Sequence, residues 1–350
     1  MKIISNFANA WFPKTYTKLK SLSFAPEAAL IGNQIPINTI TAEIITDDEV
    51  GADTIGADFK LTDDMDTQFA DGYYVTAAKR IDAETLRITA KSSIVDFDNV
   101  TAPFIVHLEP SGSRCTFRQA FEELLVCLPY GTPTYYIDSL VANREVYGVF
   151  REESARDRLA RLCMASHAYV STFKQTGIRI YVSPYHHFDD SPSWPPTHIP
   201  KDVTFYKPRL DANQPVKSVI FKTNSYVNYE TDDYIESPDG VKYYYLPNTD
   251  ERENEDIDPE YTHWSNSVTV ESTINIPGDT KGDITTHYFN ADTAEVDIIN
   301  NGEYWPGEKV SFYADDGNRY MGIVSSANFS FGMQARSKLR IESVVPYNPT

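Results

Sequence analysis

Between Lys18 and Val95 apolar and polar residues alternate in short runs, the pattern of strands that bury one face. The run from Ile35 to Ile45 puts Ile35, Ile37, Thr39, Thr41 and Glu43 on one face and Asn38, Ile40, Ala42 and Ile44 on the other. Gly72–Arg80 and Thr85–Lys91 predict two further strands, joined by a turn at Ile81-Asp-Ala-Glu. This segment reads as an antiparallel β-barrel or sandwich.

The period then changes. Thr116-Phe-Arg-Gln has the form of a capping box, with Thr116 as N-cap and Gln119 reaching back to the free amides. Phe117, Phe121, Leu124, Leu125 and Leu128 follow as one apolar helical stripe, which Pro129, Gly131 and Pro133 end. A second helix is predicted from Ser154, with Asp157 at N3. Its buried stripe is Ala155, Leu159, Leu162 and Cys163, and Arg156, Arg158 and Arg161 are expected to face outward. The stretch from Pro133 to Phe150 reads as extended, and a hairpin is expected over Tyr169–Val182, so a small α+β domain spans roughly 103–184.

Five prolines between 184 and 200 make an irregular connection. Strands resume at Val216–Thr223, Val268–Ile276, Lys309–Ala314, Tyr320–Ser326 and Ser337–Val345. Asp315-Asp-Gly-Asn supplies hairpin-turn chemistry between two of them. The acidic stretch Asn248–Glu260 reads as an exposed loop. The chain is thus α+β and mostly β, in the order β, α+β, β.

A length of 350 residues exceeds one compact domain and fits two or three. The 23 tyrosines and 18 phenylalanines favour pleated surfaces. A net charge of −19 repels phosphate and excludes a basic nucleic-acid groove. Such acidity serves solubility, and it also allows a polyanion to pass a wall without sticking. Cys115, Cys127 and Cys163 are odd in number and lack CxxC spacing, so they read as small buried apolar residues in a reducing compartment. No apolar run approaches the roughly 20 residues that span a bilayer, and the N-terminus lacks the apolar core of a secretory signal. Assembly in a reducing cytoplasm is the expectation.

No catalytic, cofactor-binding or metal-ligating residue stands out. His186, His187 and His198 lie in a proline-rich segment without a fourth ligand at sensible spacing. Asp63, Asp64 and Asp66, like Asp315 and Asp316, lack the glycine and glutamate of a calcium loop and read as turn carboxylates. There is no GxSxG elbow, no glycine-rich phosphate cradle and no local carboxylate pair set apart from the other acids. Trp264, Trp305 and the run Tyr243-Tyr244-Tyr245 suit a glycan or protein contact, or sheet packing.

The strand Gly72-Tyr-Tyr-Val-Thr-Ala-Ala-Lys-Arg and the strand from Thr85 to Ile94 resemble the N-terminal barrel of phage tail hub proteins. Val146-Tyr-Gly-Val-Phe-Arg-Glu-Glu-Ser-Ala-Arg-Asp-Arg-Leu is similar to the hub signature that opens a helix running into a hairpin, matched further on by Gly177-Ile-Arg-Ile-Tyr. Ser166-His167 stands where that family often has Gly-Gly, and Ser92 or Ser93 where an aspartate is common. The resemblance implies two related β-barrel domains flanking an inserted α+β domain. Their bounds would be 1–102 (completed by about 201–235), 103–200 and 236–350. It implies a homotrimeric baseplate hub that joins the six-fold tail tube to the three-fold central spike. Tail tube, spike, tape measure and other baseplate proteins would be its partners, with DNA only as passing cargo, no membrane and no cofactor. The chain ends soon after its last strand with no lysozyme, peptidase or fibre domain, which favours a pure adaptor. A glycan-binding module of a tail tip and a cell-wall enzyme are the rival readings.

Overall fold

The computed structural model describes residues 1–7, 13–28, 34–51, 54–63, 68–108, 115–129, 131–173, 179–185, 195–213, 216–257, 266–290, 292–299, 304–331 and 335–347. The N-terminal part holds β1 (Lys2–Ser5), β2 (Lys14–Tyr16), β3 (Leu19–Ala25), β4 (Thr39–Ile45), β5 (Asp58–Thr62), β6 (Gln68–Arg80) and β7 (Thr85–Ser92). The mixed part follows with α1 (Ile94–Asp98), β8 (Thr101–Ala102), β9 (Ile105–His107), α2 (Phe117–Val126), β10 (Tyr135–Ile137), α3 (Ser139–Ala142), β11 (Gly148–Phe150), β12 (Glu153–Ser154), α4 (Ala155–Ala165), β13 (Ala168–Ser171) and β14 (Ile180–Pro184). Next come β15 (Thr197–His198), β16 (Arg209–Asp211), β17 (Val216–Tyr226), β18 (Tyr234–Glu236), β19 (Lys242–Glu253) and β20 (Asn266–Ser272). The chain closes with α5 (Gly278–Phe289), β21 (Thr293–Ile299), β22 (Lys309–Tyr313), β23 (Arg319–Phe331) and β24 (Arg336–Pro346).

Among the described residues one 13-stranded sheet carries both ends of the chain, in the order β16-β21-β24-β23-β3-β4-β7-β6-β5-β1-β2, with β22 and β15 attached beside β23. The alternation expected for Ile40, Ala42 and Ile44 is present: all three are buried on β4. The junction between the N-terminal and C-terminal strands is β3 against β23, with Phe24 opposite Phe329. Trp305 lies under this junction, its indole stacked on Phe173 at 5.3 Å and packed against Phe24, Phe69 and Phe329. Strands β16 and β17, from the stretch 201–235, hydrogen-bond to β21 and to β19 and β20, not to β1–β7.

The mixed part has its own core from α2, α4 and the β10-β14-β13 sheet. The capping box forms as read: Thr116 Oγ1 accepts from the Gln119 amide at 3.3 Å, and Gln119 Oε1 accepts from the Thr116 amide at 2.9 Å. Ser154 caps α4 through the Asp157 amide at 3.0 Å. The stretch 133–150 is not wholly extended. Asp138 accepts from the Leu140 amide at 2.8 Å and caps the single-turn α3.

A second sheet, β18-β19-β17-β20, is covered on one face by α5 through Val219, Phe221 and Ile284. One sequence expectation fails here, and one element goes unread. The acidic stretch 248–260 is strand as far as Glu253 and a turn to Ile257, with 258–260 outside the described residues. Its charges are tolerated because the strand is half-exposed and Asp250 is paired with Lys281 at 3.1 Å. Helix α5 carries no clear helical signal in its sequence. Its two glycines and four threonine or tyrosine positions blur the apolar stripe, and only Thr280, Ile284 and Thr285 are buried.

Candidate functional site

Trp305 is 3% exposed and belongs to the core, so it offers no surface to a glycan. Trp264, His186, His187, Asp64 and Asp66 lie outside the described residues. His198 is exposed on β15, its Nδ1 within 3.2 Å of the Ser311 carbonyl oxygen. Among the described residues no three metal-ligating side chains cluster. Asp316 accepts from the Asn318 amide, the Asn318 side chain and the Tyr320 hydroxyl, which together hold its carboxyl below the usual range in the β22–β23 turn. Cys115 and Cys163 are buried, and burial pushes the Cys115 thiol up to about 11 and that of Cys163 higher still.

Arg158 does not face outward. It is 4% exposed, pairs with Glu153 at 3.0 Å, and donates to the carbonyls of Pro103 and Arg151 at 2.9 and 2.7 Å. Its guanidinium lies 4.9 Å over the Phe150 ring. Burial pulls its pKa down, and Glu153 opposes that pull. Glu153 also takes Arg161 at 2.7 Å, so one carboxylate fixes two helix residues to the strand before them. Arg156 likewise reaches inward, donating to the Ile35 carbonyl and pairing with Asp98 at 3.2 Å.

His167, in the Ser166-His167 turn, adopts the left-handed conformation (φ 48°) that glycine takes without cost. Its ring is clamped by two carboxylates of α5: Nε2 bonds Asp283 Oδ2, and Nδ1 lies 3.4 Å from Asp279. Arg144 joins Asp279 at 3.7 Å. The clamp ties the mixed part to the second sheet.

Two clefts open where that sheet overhangs the mixed part. One, about 360 Å³, is lined by Arg151, Arg161, Lys222, Tyr245, Asn248 and Glu271, among others. The other, about 490 Å³, is lined by Phe104, Arg151, Tyr234, Ile235 and Pro238. Of the tyrosine run, Tyr245 lines the first cleft and packs edge-on against Tyr226 at 6.1 Å, while Tyr244 and Tyr243 pack against two residues of the second, Tyr234 at 6.0 Å and Phe104 at 6.1 Å. Polar, aromatic and strand-edge groups predominate in both.

No protein-family model matches the sequence, and no curated protein matches it. Solved structures do. A tail protein from Neisseria meningitidis MC58 superposes with a TM-score of 0.63 at 10% identity, over 97% of this chain and 96% of that one. The 43 kDa tail protein of prophage MuSo2 from Shewanella oneidensis gives 0.60 at 12% identity, over 97% and 98%. This chain has the fold of phage tail proteins. The prophage tail protein gp18 from Listeria monocytogenes EGD-e extends the tail-protein likeness, with 0.60 at 10% identity over 98% and 94%.

Proposed function

We propose that the chain is a non-enzymatic structural protein of a phage tail or tail-like particle, and within it the baseplate hub. In this role three copies form an adaptor between the six-fold tail tube and the three-fold spike, with tape measure and DNA passing through an acidic lumen. The supporting observation is the end-to-end match of the fold to three tail proteins, over 94–98% of each. The joining of N-terminal strands to β23 supports it further, because β1–β7 and β21–β24 then share one continuous sheet that can stack on a tube. Sheet edges and surfaces, not reactive groups, carry such work.

Sedimentation of the purified chain with and without tube and spike proteins tests this reading. The expected result is a species of three times the 39.6 kDa chain mass that caps tube ends in electron micrographs. A stable monomer that binds neither protein overturns it.

A further inference from the structure

The outer edge of β20 is an unfilled strand position. Strand β20 pairs with β17 on one side, in parallel from Ser267 to Ser272. On its other side, just past its end, Thr273, Ile274 and Asn275 already have a partner. The Val149 amide donates to the Thr273 carbonyl at 3.1 Å, Gly148 bridges Ile274, and the Asn275 amide donates to the Tyr147 carbonyl at 2.9 Å. That partner, β11, runs antiparallel and stops at Phe150; Arg151 then turns the chain away toward β12. Among the described residues nothing hydrogen-bonds the remaining edge from Asn266 to Glu271.

The edge is unprotected in composition as well. Asn-Ser-Val-Thr-Val-Glu-Ser is rich in β-branched residues, has no proline, and carries one charge, which Lys222 neutralises at 3.2 Å. Natural edges of this length are usually blunted by lysine, proline or a bulge. Where the ladder breaks sits Arg151, exposed, with no carboxylate in ion-pair range among the described residues. The other cations of the cleft are spoken for: Arg161 by Glu153 and Lys222 by Glu271. In a chain of net charge −19, an unneutralised guanidinium beside an open strand is a specific feature.

We propose that this edge takes up an extended segment of a partner protein, which adds a strand to the second sheet in line with β11 and places an acidic side chain against Arg151. The partner segment alternates: apolar residues lie beside Val268 and Val270, toward α5, and polar ones, including the acid, lie on the Thr269 and Glu271 side. Main-chain bonds to the edge provide affinity, and the acid fixes the register.

The test is a titration of the full chain with an acetylated, amidated peptide, Thr-Val-Ser-Val-Glu-Val-Thr, followed by amide hydrogen exchange. Saturable binding is expected, with exchange slowed only over 266–272. Replacing the peptide's Glu by Gln, or Arg151→Ala in the chain, weakens binding about tenfold, and combining the two weakens it no further. The same peptide N-methylated at alternate residues does not bind. Absence of binding at millimolar peptide, slowed exchange elsewhere, or slow exchange in the free chain of those 266–272 amides that do not bond β17 overturns the proposal. So does Arg151-dependent uptake of glucuronate without protection of 266–272, which would make the cleft an acidic-sugar site. Since the test needs neither tube nor spike, its failure leaves the hub reading standing, and failure of the hub reading leaves this one open to confirmation.

Discussion

Arg158 shows how little a residue's type says about its surroundings. Three arginines on α4 looked like a solvated face, yet the structure sends the middle one into the core, where Glu153, two carbonyls and the Phe150 ring meet its guanidinium. The sequence held no sign of this, because the partners come from Pro103 and from the chain just before the helix. Removing a buried charge partner leaves the rest uncompensated, so Arg158→Ala should destabilise the fold by about 3–5 kcal/mol. Arg118→Ala, which removes only an exposed pair with Glu122 at 3.8 Å, should cost about 0.5 kcal/mol or less. Urea midpoints of the two variants test the contrast, and equal shifts would refute it.

His287 gives a pH dependence at the same scale. It is half-buried between α5 and β24, with Nδ1 2.8 Å from the Ser343 hydroxyl; desolvation pulls its pKa below the ordinary 6.5, and Glu342 opposes that only in part. The unfolded chain therefore takes up a proton at a higher pH than the native one. Stability from this residue is complete above about 6.5 and falls as pH drops below it through the lower native value. Wild type should lose more stability than His287→Gln between pH 7.5 and 5.5, measured by urea unfolding. A parallel fall in both would exclude the residue as the cause.

Among elements, those that declare themselves locally were legible. The capping box at Thr116, the stripe from Phe117 to Leu128, the Asp315-Asp-Gly-Asn turn and the alternation on β4 and β7 each follow from residues a few positions apart. Thr116→Ala should cost about 1 kcal/mol, read as a lowered unfolding midpoint without a change in slope. Helix α5 and the strand character of 248–253 were not legible, since their identity depends on what lies against them: Phe221 and Val219 for the helix, β17 for the strand. Gly148 is a third such case. It holds φ 137°, and a Cβ there would meet the backbone of Ile274 at 2.5 Å. Gly148→Ala should push β11 off residues 273–275 and speed amide exchange at Val149 and Asn275. Unchanged exchange there would show that the ladder tolerates the methyl. The clefts around Arg151 were illegible for the same reason, being assembled from segments more than a hundred residues apart.

For the molecule as a whole, charge sets a condition on assembly. Each copy carries −19, so copies repel at low ionic strength, with a screening length of about 30 Å at 0.01 M salt and about 8 Å at 0.15 M. The hub reading therefore expects self-association to strengthen with salt over that range, followed by light scattering. Weakening would mean that opposite-sign contacts dominate the interface. The three-part order of the chain was visible in its changing periods, whereas the pairing of β3 with β23 was not, because alternation tells which face is buried and not which strand lies alongside.

That pairing bears on how the protein comes into being. Ser23 and Asn328, hydrogen-bonded across the junction, are 305 positions apart, so a ribosome making roughly 5–20 residues per second emits the first strands roughly 15–60 s before their neighbour exists. Throughout that interval β3 presents a bare row of amides and carbonyls, and nascent chains on one messenger are each other's nearest alternative partners. The cost of the long-range closure thus falls on biosynthesis: truncated chains ending before 319 should emerge insoluble, while the finished chain, once β23 zips into place, keeps no trace of the hazard.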